Sequence, residues 1–218
     1  MLLLALDTST SAITVALHDG DRVLAQATTL DARAHCERLA PGIQQVLAQA
    51  GATPTELTHV VCGLGPGPFT GLRVGIVTAR VLAFTTGAAL HGMCSLDALA
   101  ADGPTGEILV ATDARRKEVY WARYAVSPGS VRALTPAAVD RPADLPEQVR
   151  ALPTLGRGPL LYPELFPAPV GILDVSAAAL AGLAVRRLAA GAPLSDHEPL
   201  YLRRPDAAPH IVTKSALG

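Results

Sequence analysis

Gly63-Leu64-Gly65-Pro66-Gly67-Pro68-Phe69-Thr70-Gly71 is followed without a break by Leu72-Arg73-Val74-Gly75-Ile76-Val77-Thr78-Ala79-Arg80-Val81-Leu82-Ala83-Phe84. The apolar run at 59–64 that leads into it reads as a strand, and residues 70–86 read as a helix. A Gly-rich loop between strand and helix is a ready anion site. This one matches neither sharp phosphate template. It is not GxGxxG, because position 68 is Pro, and no Gly-Lys-Ser/Thr follows it. Its alternating prolines also remove amide donors that a phosphate needs. The loop therefore reads as a stiff, preshaped connection, and the loop–helix unit as a surface for partners rather than a catalytic centre.

Gly71, Gly75, Ala79 and Ala83 recur every four residues along that helix. They form a stripe of small side chains that lets another helix approach closely, the steric rule behind small-xxx-small pairing. Arg73 and Arg80 share a face, and the remaining positions are nearly all apolar. A helix that is apolar almost all round is buried on more than one side. Two arrangements satisfy this: a core helix on the domain's own sheet, or a helix with one side covered by a partner subunit.

Working outward, residues 2–6 read as a buried strand, and 12–17 and 23–28 as two further strands joined by His18-Asp19-Gly20-Asp21. A helix at about 35–51 carries Leu39, Ile43, Val46, Leu47 and Ala50 on one face, with Gly51 as its stop and Pro41 as a local conflict. Thr53-Pro54-Thr55-Glu56 is a capping box that predicts a short helix. Residues 88–93 read as a strand, with Ser95 capping the next helix. Strands at 107–112 and 118–125 flank the turn Asp113-Ala114-Arg115-Arg116-Lys117. From Ser127 to about 170 prolines interrupt the chain, and 176–190 is the one clear later helix. The stretch from Asp206 reads as frayed. The pattern predicts an α/β protein of two lobes, each a mixed sheet flanked by helices. Residues 1–101 form the first, and 102–218 a smaller second lobe that repeats the opening hairpin less completely.

The totals agree with this class. The chain has 218 residues, 50% hydrophobic and 17% charged, which excludes a disordered chain. With 18 Lys+Arg against 19 Asp+Glu, its net charge of -1 does not mark a general polyanion binder. Asp7 cuts the first apolar run short, so no signal peptide is expected, and no stretch reaches membrane-spanning length. Cys36, Cys62 and Cys94 form no CxxC pair; they read as free thiols in a reducing, cytoplasmic setting.

Few residues carry chemistry. Asp7-Thr8-Ser9 follows the first strand and offers hydroxyls and amides to a phosphate, or serves as a polar turn. The turn reading is favoured, since no glycine follows Asp7. Helical metal sites use His at i and i+4; here His35 is followed at 39 by Leu, so no metal is expected. No G-x-S-x-G elbow is present. Arg115, Arg116 and Lys117 form one basic cluster and Arg203 with Arg204 another, each a candidate phosphate contact or a solvated turn.

Taken together, Leu4-Ala5-Leu6-Asp7-Thr8-Ser9, the 63–75 stretch, Asp113-Ala114-Arg115-Arg116-Lys117-Glu118-Val119-Tyr120-Trp121 and Glu198-Pro199-Leu200-Tyr201-Leu202-Arg203 resemble the TsaB (YeaZ) family, paralogous to TsaD. The resemblance implies an actin-like ATPase fold of the ribonuclease H-like type. It implies a non-catalytic scaffold and dimerisation subunit in the synthesis of N6-threonylcarbamoyladenosine at adenosine 37 of tRNA. The implied partners are TsaD in a heterodimer and TsaE, with a homodimer in isolation and tRNA met through the complex only. No cofactor is expected on this chain alone, with ATP or ADP at the level of the complex. The partner surface is expected on the first helix, at Leu39, Ile43, Val46 and Leu47, and on the second, at Gly71, Gly75, Ala79 and Ala83. The different-class alternative is an actin-like ATPase or kinase acting alone through Asp7 and the 63–71 loop. An old peptidase label for the family finds no nucleophile and base here.

Overall fold

A computed structural model describes residues 1–31 and 34–203. The chain opens with β1 (Leu3–Asp7), β2 (Ala12–His18) and β3 (Val23–Leu30), then α1 (His35–Ala50), β4 (His59–Gly63), α2 (Phe69–Thr86), β5 (Ala89–Met93) and α3 (Ser95–Ala101). The second half holds β6 (Gly106–Asp113), β7 (Val119–Ser127), β8 (Ser130–Ala133), β9 (Ala138–Asp140), α4 (Glu147–Arg150), β10 (Thr154–Leu155), α5 (Gly158–Leu161) and α6 (Ala177–Ala189). No described helix is long and apolar enough to cross a membrane.

The first sheet has the order β3-β2-β1-β4-β5. β1, β2 and β3 pair antiparallel, whereas β4 and β5 join parallel to β1. The second sheet runs β10-β6-β7-β8, with β6 and β7 antiparallel and β10 parallel to β6. Thus β6, β7, β8 and β10 repeat the places of β1, β2, β3 and β4. Among the described residues a parallel bridge from Thr154 to Pro169 answers to β5. This duplicated meander with parallel additions is the actin-like, ribonuclease H-like arrangement.

β1 explains why the order is stable. Leu3 and Ala5 point to one face and Leu4 and Leu6 to the other, and all four are fully buried. A strand covered on both faces reads as an unbroken apolar run. Leu4 and Leu6 meet α1 and α2 through Leu39, Val46, Leu72 and Ile76. Leu3 and Ala5 meet α3 and α6, and beyond them Ile108, Val110 and Tyr124 of the second sheet. Each such fully buried leucine contributes about 2 kcal/mol of transfer free energy.

Local signals explain most element ends. Gly51 closes α1 in the left-handed region at φ 65°, and Ser176 caps α6 by accepting from the Ala179 N–H at 3.3 Å. Pro41 sits within α1, which continues through it. The capping box at Thr53 starts only a single 3₁₀ turn, Pro54–Glu56. Ser95 does not cap α3: Cys94 holds the cap position, and the Ser95 hydroxyl turns instead to Asp7. α6 belongs to the C-terminal segment but lies on the first sheet, where the Ala177 N–H donates to Thr14 Oγ1 at 3.1 Å.

Candidate functional site

The 63–71 loop folds down onto the turn after β1. Thr8 Oγ1 donates to the Gly71 carbonyl at 2.7 Å. A Cβ at Gly63 would lie 1.7 Å from Asp7 Oδ2, one at Gly67 2.4 Å from the Ser9 carbonyl, and one at Gly71 2.5 Å from the Thr8 carbonyl. The glycines are therefore required by the chain's own turn, which occupies the space a phosphate would need. The Ser95 hydroxyl locks the base of the loop: it accepts from the Gly65 N–H at 3.0 Å and donates to Asp7 Oδ2 at 2.5 Å.

Asp7 is fully buried behind this loop. Its Oδ1 accepts from the Ser9 N–H and the Ser9 hydroxyl, each at 2.7 Å. Burial raises its carboxyl above the usual range, partly offset by the bonds from Ser95 and Ser9. All three of the weak phosphate-loop residues, Asp7, Thr8 and Ser9, are thus buried as structural groups, and of them only Ser9 lines the neighbouring cleft. The solitary ATPase reading loses its two pillars, because the loop and Asp7 are packed on each other.

Ser9, Thr10 and His35 line one wall of a cleft between the sheets, with Asp113, Arg157 and Asp174 on the other. Within that far wall Arg157 donates to Asp174 from Nε at 2.9 Å and from Nη2 at 2.6 Å, a two-pronged pair that raises the guanidinium pKa further. Charge in the far wall is thereby largely neutralised from within. His35 Nε2 lies 3.2 Å from the Thr10 carbonyl. Leu39, where a second helical histidine would stand, is fully buried in the core. Among the described residues no group of three His, Cys, Asp or Glu is placed to hold a metal ion. Burial pushes the Cys62 and Cys94 thiols up to about 12, so neither is an available thiolate at neutral pH.

The expected partner surface needs correction. Leu39, Val46 and Ala79 are 0% exposed, and Gly71, Gly75 and Ala83 are buried as well. A Cβ on Gly75 would sit 2.4 Å from Thr8 Oγ1. The small-residue stripe is filled by the protein's own first sheet and turn, so it receives no second helix. The outward side of α2 is apolar instead, with Val77 54%, Val81 56% and Phe84 89% exposed. Val77, Val81 and Leu82 face Ala40, Ile43 and Leu47 across an open apolar groove between α2 and α1. Ile43 and Leu47 thus form the floor of a surface whose walls the sequence periodicity had not singled out. The apolar-all-round composition of α2 held the signal, but the four-residue glycine spacing drew attention to the wrong side.

The basic turn between β6 and β7 is sharply bent, with Arg115, Arg116 and Lys117 at φ 60°, 53° and 63°. No glycine or asparagine announces that geometry. Arg203 reaches back to this turn, donating from Nη1 to the Ala114 carbonyl at 2.7 Å and pairing with Glu118. Arg204 and the stretch from Asp206 lie outside the described residues.

Residues 22–206 match the family described as "TsaD: tRNA N6-adenosine threonylcarbamoyltransferase". The chain is 34% identical over 175 residues to the tRNA threonylcarbamoyladenosine biosynthesis protein TsaB of Escherichia coli, covering 76% of this chain and 75% of that one. It is 43% identical to an uncharacterized protein of Mycobacterium leprae over 95% of its own length, but spans only 56% of that relative. An uncharacterized Mycobacterium tuberculosis protein is 45% identical, with 96% of this chain and 95% of that one aligned. Among solved structures, YeaZ from Pseudomonas aeruginosa superposes with a TM-score of 0.80 at 31% identity, covering 92% of this chain and 99% of that one.

Proposed function

This chain belongs to the TsaB (YeaZ) family, and from that membership we propose that it works in tRNA N6-threonylcarbamoyladenosine synthesis as a non-catalytic scaffold subunit in the cytoplasm. It pairs with TsaD, helps recruit TsaE, and meets tRNA through the assembled complex. Nucleotide, where the complex uses it, is held at the level of that complex. The lobe of residues 1–101 carries the pairing helices, and Asp113, Arg157 and Asp174 of the second lobe complete the cleft.

One observation carries the scaffold role: the exposed ridge Val77, Val81, Phe84 beside the α1–α2 groove. An apolar side chain as open as Phe84, continuous with an apolar groove, marks an interaction surface more often than a monomer's ordinary exterior. A second copy of the chain has the same ridge to offer, which accounts for a homodimer when TsaD is absent. The cleft supports the non-catalytic reading. Its Arg157 is committed to Asp174, and Asp7 at the end of β1 is sealed under the loop, outside the cleft.

The test is association with TsaD by size-exclusion chromatography and light scattering. Phe84→Asp with Val81→Asp should abolish the heterodimer while the variant keeps its wild-type melting temperature. A variant that pairs as well as wild type removes the ridge from the interface.

A further inference from the structure

The turn at Arg115, Arg116 and Lys117 is closed by its own backbone and by Asp113: the Glu118 N–H donates to the Arg115 carbonyl at 3.0 Å and the Arg115 N–H to Asp113 Oδ1 at 2.7 Å. All three side chains are exposed, and all three residues adopt the left-handed backbone that glycine or asparagine takes at far lower cost. Strained, cationic and exposed positions of this kind concentrate where a ligand is held. Arg115 makes an open contact with Asp113, Nη1 to Oδ2 at 3.3 Å, with the arginine side chain 67% exposed. Such a pair is readily exchanged for a stronger anion.

The surroundings are aromatic. Ala114, Arg115 and Arg116 of the turn line a pocket together with Phe69, Tyr120 and Tyr201. The Phe69 and Tyr201 rings lie 5.1 Å apart, and the Arg73 guanidinium caps Phe69 at 3.8 Å while its Nε donates to the Tyr201 hydroxyl at 3.2 Å. Arg203 fixes the turn from below through the Ala114 carbonyl and Glu118. Cations on a fixed turn beside π-faces are the two elements by which proteins hold single-stranded nucleic acid, phosphate by charge and base by stacking. An acidic peptide would use the cations but not the rings.

We propose that this pocket binds a short single-stranded segment of RNA, with phosphates on Arg115 and Arg116 inside it and on the exposed Lys117 at its edge, and a base against Tyr201. Arg203 is a positioning residue that holds the turn. The inference rests on the proposed role in tRNA modification and adds to it a direct RNA contact from this chain.

The test uses the full chain, alone and paired with TsaD, against an unmodified tRNA transcript and a ten-nucleotide oligouridylate across a salt series. Asparagine tolerates the left-handed turn, so Arg115→Asn/Arg116→Asn/Lys117→Asn keeps the fold. Three lost phosphate contacts at a slope of about 0.7 each should lower the log–log salt slope by about 2 and the affinity about 100-fold at 0.1 M salt. Tyr201→Leu should cost about tenfold in affinity with the slope unchanged. Unaltered affinity and slope in a triple variant that still pairs with TsaD overturn the RNA site and leave the scaffold role standing. Loss of TsaD or another protein with RNA affinity intact overturns it in favour of acidic-protein docking. Failure of the wild type to pair with TsaD defeats the scaffold reading, while the isolated-chain arm still decides the RNA site.

Discussion

Gly75→Ala discriminates sharply between a stripe that receives a partner and a stripe that receives the protein's own turn. On an open helix the change would stabilise by about 1 kcal/mol, because alanine is the better helix former. Here the new Cβ meets Thr8 Oγ1 at 2.4 Å, about 1 Å inside normal contact, and that hydroxyl bonds the Gly71 carbonyl at 2.7 Å in a buried place. Overpacking costs about 1–3 kcal/mol and the strained hydrogen bond about 1 kcal/mol more, so net destabilisation is about 1–3 kcal/mol. For a chain of this size that lowers the melting temperature by roughly 2–12 °C. Thr8→Ala removes the obstructing oxygen and leaves Cβ atoms 3.5 Å apart, an ordinary contact. In the Thr8→Ala background, Gly75→Ala should therefore become neutral or stabilising by about 1 kcal/mol. The readout is urea unfolding followed by circular dichroism for all four members of the cycle, with a coupling energy of about 1–4 kcal/mol. If Gly75→Ala in the Thr8 background is as stable as wild type, the packing argument is wrong and the stripe is free for a partner.

Three further outcomes follow from the same geometry. Burial raises the Asp7 carboxyl, so the folded state holds its proton more tightly than the unfolded chain. This contribution is fully present below the unfolded value of about 4 and is lost as pH rises through the raised folded value, so the stability of Asp7→Asn relative to wild type should grow from pH 4 towards neutrality. A relative stability that falls over that window contradicts the assignment. Cys36 is exposed while Cys62 and Cys94 are raised to about 12, so a thiol reagent at pH 7.5 should label one cysteine in the native protein and three after unfolding; rapid native labelling of Cys62 would refute the burial. Arg157→Ala leaves Asp174 unpaired in the cleft and should cost about 1–3 kcal/mol, whereas Arg157→Ala/Asp174→Ala should recover most of it.

The order of elements was legible because β1, α1, α2 and α6 carry clear periodicity and end signals, such as Gly51 and Ser176. β8, β9, α4, β10 and α5 escaped notice among the prolines. They are two to four residues long, and the strands among them exist through pairing with β6 and β7, which no local pattern encodes. The site was less legible still. Spacing told which residues of α2 share a side, but not which side meets the sheet, and Thr8 decides that from 67 positions away. Ser95 looked like a helix cap because serine at a strand–helix junction usually is one; its real acceptor, Asp7, lies on a different strand. The Arg157–Asp174 pair crosses a proline-rich stretch in which no motif stands out.

The placement of α6 bears on how the protein is made. Leu3, Ala5, Ala16 and Val61 are covered by Leu180, Ala181 and Ala184, residues synthesised long after the strands they shield. That face of the first sheet is only partly covered, by α3, until α6 leaves the ribosome. A nascent chain halted before residue 177 should therefore carry a formed α1–α2 side and a partly open, adhesive reverse side, a natural substrate for a holding chaperone.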